Sequence, residues 1–308
     1  MAGEAKNPRR AMPIAIIGSI GLCMVIYLFL QTSFLTSLHP GNILDGWEHL
    51  SFSHASSPLT GILDQDRQHW MIPLLYVGAV IGPLAAALIY MNGSARLLYG
   101  MAQSRYLPKI LSVMTRQGNP WLAILVNFVI GMLCFAPLPG WQQMMAFLTS
   151  LMAITYSIGP ITLIALREQL PEQSRPFKLP FGKLWAFVAF YICTLFTLWT
   201  GWSILSKLGI ALVIGLLVLF VYRKFTPKAE RYPLALRESA WIWVYFAGIT
   251  LISWLGPFGK GMGVINFADS FWIIALFCLL VTAIAIRFKL SSAQTRQYVE
   301  ELSLVQQA

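Results

Sequence analysis

The sequence predicts an all-α integral membrane protein with eight transmembrane helices. Three observations carry that prediction. Of 308 residues, 57% are hydrophobic and only 11% charged, against roughly 25% charged in an ordinary soluble domain. The charges fall in clusters separated by long runs that carry none. Those runs approach the roughly 20 apolar residues a helix needs to cross a hydrocarbon layer about 30 Å thick. A soluble enzyme of this length would need more polar surface to cover its core. A disordered chain would be far less apolar.

In chain order, the predicted spans are 12–35, 70–91, 120–138, 142–166, 184–205, 208–222, 239–255 and 268–286, none with an interior Asp, Glu, Lys or Arg. Only Pro139-Gly140-Trp141 divides the third from the fourth, and only Ser206-Lys207 the fifth from the sixth. Both breaks suit tight helical hairpins, and the sixth span is short. The tail beyond the last span places Leu290, Tyr298, Leu302 and Val305 at loosely helical spacing, which predicts a short helix on the cytoplasmic side.

The formal net charge of +10 resembles a nucleic-acid signal until the charges are placed. The segments before span one, after the even-numbered spans and in the tail hold nineteen of the 22 Lys and Arg; the opposite side holds Arg67, Lys207 and Lys260. That bias is the positive-inside pattern. It predicts a multi-pass protein of the cytoplasmic (inner) membrane with both termini in the cytoplasm and an even number of spans. The basic charge then reports orientation and attraction to a lipid bilayer with anionic head groups. No concentrated basic face remains for nucleic acid.

No basic region and cleavable apolar core follow Met1, so no signal peptide is expected. Cys23, Cys134, Cys193 and Cys278 each lie in a different span, which predicts packed thiols rather than disulfides or a metal site. No catalytic constellation appears, because the span interiors contain no acid, base or His for a nucleophile to use, Asp269 standing at the very start of the last span. No enzyme activity and no cofactor are expected.

The predicted external loop 36–69 holds all four histidines (His39, His49, His54 and His69) with Asp45, Glu48, Asp64 and Asp66. His and carboxylates ligate zinc, but the spacings match no ligand motif. A solvated loop is the expectation, with metal or proton sensing as its alternative. Within span two, Gly78 and Gly82 form a G-x-x-x-G pattern ahead of Pro83 and three alanines. Small residues let helices approach closely in lipid. Proline removes a backbone donor, leaving the carbonyl near Ala79 either simply packed or facing a cavity, as in broken transporter helices. In span four, Thr155-Tyr156-Ser157-Ile158-Gly159-Pro160 sets three hydroxyls beside another Gly-Pro break. They either satisfy backbone carbonyls or face a polar pathway. Trp199, Thr200, Gly201 and Trp202 near the end of span five read as an interfacial anchor. Asn92-Gly93-Ser94 fits a glycosylation pattern but falls on the cytoplasmic side, as helix-end polarity.

Three cytoplasmic segments carry a resemblance. The first is Gly3-Glu4-Ala5-Lys6-Asn7-Pro8-Arg9-Arg10 with Met12-Pro13-Ile14-Ala15-Ile16. The second is 92–108, read NGSARLLYGMAQSRYLP, and the third is 167–180, read REQLPEQSRPFKLP. In this order they resemble the segments after helices six, eight and ten of the amino acid–polyamine–organocation (APC) superfamily of permeases. The motif residues are Gly3, Glu4, Lys6, Asn7, Pro8 and Arg9, with Pro8 and Pro13 suited to stop one helix and start the next. The last two spans resemble longer, fourteen-helix members such as the aspartate-proton symporter-like group.

The resemblance implies a LeuT-like inverted-repeat transporter represented from the end of helix six onward, with the eight spans as helices seven to fourteen. Residues 1–11 would be the end of helix six and its motif. Residues 12–166 would be four spans of the second repeat, 167–287 four peripheral spans, and 288–308 a cytoplasmic tail. The implied activity is secondary active amino acid transport by alternating access. The half that carries most of the site in this family would be missing, so the chain is expected to be inactive alone. What remains of a substrate site would be Tyr76, Gly78 and Gly82 on one wall, with Tyr156 and Ser157 on another. The alternatives are one half of a split transporter, needing a separately encoded N-terminal half, or a non-transporting membrane scaffold or sensor using the His-rich loop. An embedded enzyme ranks behind both.

Overall fold

The computed structural model describes residues 8–43, 57–137, 140–173, 175, 179–227 and 236–307. The chain divides into two compact units, 1–93 and 94–308. The described residues of both are helical, joined by turns and irregular segments, with no strand.

In the first unit, α1 runs Pro8–Thr36 and α2 Pro58–Gln65. The longer α3, Met71–Gln103, starts here and continues into the second unit. Pro8 begins α1, where a missing N–H costs nothing, but Pro13 lies inside the helix and does not start a new one. Its missing donor affects one bond near the helix end. Predicted loop 36–69 contains ordered structure: a 3-10 turn at Pro40–Ile43 and α2. A reciprocal cap starts α2, with the Thr60 N–H donating to Ser57 Oγ at 3.3 Å and the Ser57 N–H to Thr60 Oγ1 at 3.2 Å. That pair satisfies two otherwise orphaned donors. Apolar residues surround α1 and the first part of α3, and none of the most apolar stretch of either is buried. A helix apolar all round needs lipid or protein on every side.

The second unit contains α4 (Trp121–Cys134), α5 (Trp141–Gln169), α6 (Gly182–Trp199), α7 (Trp202–Phe225), α8 (Ala240–Leu255), α9 (Phe267–Arg287) and α10 (Ser292–Gln307). Its core lies where α5, α6, α7, α8 and α9 meet, around Phe190, Leu198, Leu205, Tyr245, Ile249, Ile274 and Cys278. The tail is the helix α10, as its spacing predicts. Ser94, placed by the sequence at a helix end, lies inside α3 and accepts a hydrogen bond from Asn127 Nδ2 of α4 at 2.9 Å. The α3 helix simply runs on past its apolar stretch.

Among the described residues, six helices are long and apolar enough to cross a membrane: α1, α3, α5, α6, α7 and α9. The other two apolar helices, α4 with 14 residues and α8 with 16, rise only about 21 and 24 Å. The chain is a multi-pass membrane protein, and its four cysteines are free thiols. Cys23 is exposed on α1 rather than packed.

The break between spans five and six lies elsewhere than expected. The helix ends at Thr200-Gly201, and Ser206-Lys207 sits inside α7. Gly201 adopts φ 82° and ψ 165°, a region essentially reserved for glycine. The first N–H groups of α7 are bonded from outside the helix: Trp202 donates to the Phe258 carbonyl at 3.1 Å and Ser203 to the Gly259 carbonyl at 2.9 Å. So Trp199 to Trp202 form an interhelical turn clasped by the α8–α9 loop. Lys207 does not need a turn because its amino group reaches out. It donates to the Pro137 carbonyl, just past α4, at 2.8 Å and to Gln143 Oε1 of α5 at 3.1 Å. Replacing Lys207 with Met is expected to lower stability by about 1 kcal/mol, read as an earlier midpoint in detergent unfolding; an unchanged midpoint refutes the tether.

Candidate functional site

The sequence-predicted substrate-facing residues lie on two helices, one in each unit. On α3, Tyr76 is about half exposed, and Gly78 and Gly82 face open space, with no atom within 4 Å of where a Cβ would stand. The helix passes through Pro83 without interruption. Proline offers no N–H to the carbonyl four residues back, which is Ala79, one residue after Gly78.

The same device recurs on α5, whose Pro160 lies inside the helix and withholds a donor from the Tyr156 carbonyl. Adjacent side chains diverge here. Tyr156 is 66% exposed, whereas Ser157 is fully buried and donates to the Ile154 carbonyl at 2.6 Å. Thr155 donates to the Leu151 carbonyl at 2.8 Å. Similar returns to the preceding turn come from Thr149, Ser150 and Thr162. This is how hydroxyls are satisfied where water is excluded.

Ser157 belongs to a buried hydroxyl cluster that sequence reasoning missed. Tyr245 of α8 lies within hydrogen-bonding reach of Ser157, Thr194 and Thr197, its oxygen 3.4 Å from Thr194 Oγ1. Thr194 and Thr197 also donate to the Phe190 and Cys193 carbonyls at 2.8 and 2.9 Å. The Tyr245 ring stacks on Phe277 at 6.1 Å and tilts against Phe190 at 5.5 Å. The available signal was one tyrosine within an apolar stretch opposite threonines four helical positions from Phe190 and Cys193. Neither periodicity nor spacing shows that these helices meet.

At the other end of α5, Glu168 pairs with Lys183 of α6 at 3.0 Å and with Lys289 beyond α9. Gln169 Nε2 donates to the Leu290 carbonyl at 2.9 Å. These contacts join the ends of α5, α6 and α9 to the start of α10. None of these contacts involves Tyr156.

Among the described residues no cluster of His, Cys, Asp or Glu could hold a metal ion. His69 Nδ1 lies 3.2 Å from Asp64 Oδ1 with both side chains more than half exposed. His49, His54, Asp45 and Glu48, like Gly3, Glu4, Lys6 and Asn7, lie outside the described residues. Each helix by itself offers an exposed tyrosine and a carbonyl that proline leaves without its helical donor, and α3 adds bare glycine backbone. Such carbonyls can accept hydrogen bonds from an ammonium group.

The family model for amino acid permeases matches residues 1–297. The chain is 29% identical over 283 residues to the glutamate/serine transporter AimA of Bacillus subtilis, covering 91% of this chain and 52% of that protein. It is 27% identical over 284 residues to the aspartate-proton symporter of the same species, covering 91% and 54%. It is 25% identical over 232 residues to the branched-chain amino acid permease BcaP of that species, covering 75% and 48%. The chain thus spans about half the length of the curated relatives it matches. No solved structure matches.

Proposed function

The chain belongs to the amino acid permease family, and on that premise we propose that it is the C-terminal portion of a secondary active amino acid transporter of the cytoplasmic membrane. The observation that carries this reading is coverage: nearly all of this chain aligns with about half of AimA and about half of the aspartate-proton symporter. The family is one of permeases, and none of the chemistry above calls for an enzyme.

In the proposed arrangement the eight apolar helices are helices seven to fourteen of a LeuT-like pair of inverted repeats, with both termini cytoplasmic. The short α4 and α8 would span with the help of their flanking turns. Tyr76, Gly78 and Gly82, with the Ala79 carbonyl, are the substrate-binding candidates on α3, and Tyr156 is the candidate on α5. Ser157 supports that helix from behind, through Tyr245. Freed carbonyls would take the substrate ammonium, as unwound segments do in transporters built this way. The exposed apolar surfaces of α1 and α3 favour a partner half, encoded with this chain or separately. The names of the two relatives matched over most of the chain make aspartate, glutamate and serine the first substrates to try.

Vesicles reconstituted with this chain alone are expected to take up labelled aspartate, glutamate or serine no faster than empty vesicles. Uptake should appear when the polypeptide encoded immediately upstream is added. Uptake by the chain alone refutes the need for a first half. No uptake in either preparation refutes transport of these substrates.

A further inference from the structure

At the junction of α5 and α6 lies a cavity of about 430 Å³ lined by Arg167, Phe181, Gly182, Lys183 and Leu184. We propose that this cavity binds the phosphodiester headgroup of an anionic phospholipid, with the Arg167 guanidinium as its principal contact. The site goes beyond the transport reading and does not depend on it.

Arg167 is partly buried and lies against the start of α6: a Cβ on Gly182 would stand 2.1 Å from Nη1 and 2.3 Å from Nη2. Among the described residues it has no ion pair or hydrogen bond of its own. The nearby carboxylate is already shared, because Glu168 takes both Lys183 and Lys289. Arg167 lies in the last turn of α5, whose negative end favours a cation, but the start of α6 offers no counter-charge. A helix N-terminus carries positive partial charge, and Phe181 supplies no side-chain cap to α6. Among the described residues the guanidinium donors have no protein acceptor, and a phosphate would take two of them through parallel bonds. The absence of a Cβ at Gly182 is what leaves the guanidinium room.

The flank of the cavity favours lipid over a free anion. Phe181 is 80% exposed, Leu184 58% and Trp185 54%. Apolar and aromatic side chains beside a basic cavity suit the level where head groups meet acyl chains.

The test uses the full chain in detergent with equimolar phosphatidylglycerol and phosphatidylcholine, and counts retained lipids by native mass spectrometry. The wild type is expected to retain phosphatidylglycerol preferentially. Arg167→Gln should weaken that retention roughly fivefold, the effect of one basic side chain near a lipid surface. Arg116→Gln removes the same charge from an exposed site elsewhere and should leave retention unchanged. Equal loss in both variants means diffuse attraction and overturns the site. So does equal retention of the two lipids by the wild type. Displacement of the lipid by millimolar inorganic phosphate assigns the cavity to a free anion and also overturns the proposal. If Arg167→Gln aggregates, Arg167→Lys decides instead: it keeps the charge but loses the fork, so unchanged retention refutes bidentate binding.

Discussion

Gly201→Ala is expected to cost about 2–6 kcal/mol, combining a non-glycine residue in a glycine-only backbone region with overpacking. Two independent obstacles meet at this position. The backbone angles are ones an L side chain rarely adopts. In addition, a Cβ there would stand 2.6 Å from the Gly259 Cα and 2.7 Å from its nitrogen. Those are backbone atoms, so no rotamer change relieves the overlap. The converse holds too, since a Cβ on Gly259 would stand 2.8 Å from the Gly201 Cα. Gly259→Ala should therefore be similarly damaging, and the double variant no worse than additive. The same substitution at Gly209 and Gly215 of α7 meets nothing within 4 Å. There it should be neutral or stabilising by up to about 1 kcal/mol, because alanine is the better helix former. Equilibrium unfolding in mixed micelles of increasing dodecyl sulfate content reads all four. Equal midpoints for the Gly201 and Gly209 variants would show that the backbone crossing does not form.

Tyr245→Ala is expected to cost about 3–5 kcal/mol, as for other large buried aromatic truncations. The ring is 2% exposed and touches Phe190, Phe246 and Phe277. Within lipid the loss is mainly of packing, since no hydrophobic effect draws one apolar helix to another. Tyr245→Phe separates the ring from the hydroxyl. It should cost about 1 kcal/mol or less, in line with hydrogen bonds between membrane helices. Ser157, Thr194 and Thr197 keep their own backbone carbonyls as acceptors in that variant, so no hydroxyl is left without a partner. A phenylalanine variant as unstable as the alanine variant would mean that the hydroxyl network, not ring packing, holds α8 in place.

Much of the architecture is legible from residue order because lipid imposes simple demands. An uncharged run must be a helix, since the bilayer offers the backbone no other hydrogen-bond partner. That is why α1, α5, α8 and α9, and the start of α3, fall where apolar runs predict them. The candidate site is less legible. Pro83 and Pro160 announce freed carbonyls from sequence alone, but a proline does not say which face of its helix is open. Tyr156 and Ser157 are neighbours in sequence, and only packing sends one outward and the other against Tyr245. The buried cluster could not be found, because its members come from three helices whose contact no local pattern encodes.

The position of the α6–α7 turn makes the same division sharp. Ser206-Lys207 is the most polar pair in that stretch, and on polarity alone it is the better break. Lysine's long apolar stem can carry its charge away from the helix it sits on, here to the Pro137 carbonyl and Gln143, so α7 continues through it. Gly201 becomes the turn because Gly259 crosses it too closely for any side chain, and the carbonyls of that loop complete the start of α7. The distribution of charge and apolar length by itself determined that this chain lives in a membrane and roughly where most of its helices lie, and three short cytoplasmic motifs carried the resemblance to a family. Tertiary structure alone decided where a helix may bend, which hydroxyls face inward and that the Arg167 guanidinium lies against Gly182. Those outcomes depend on distances between segments far apart in the chain.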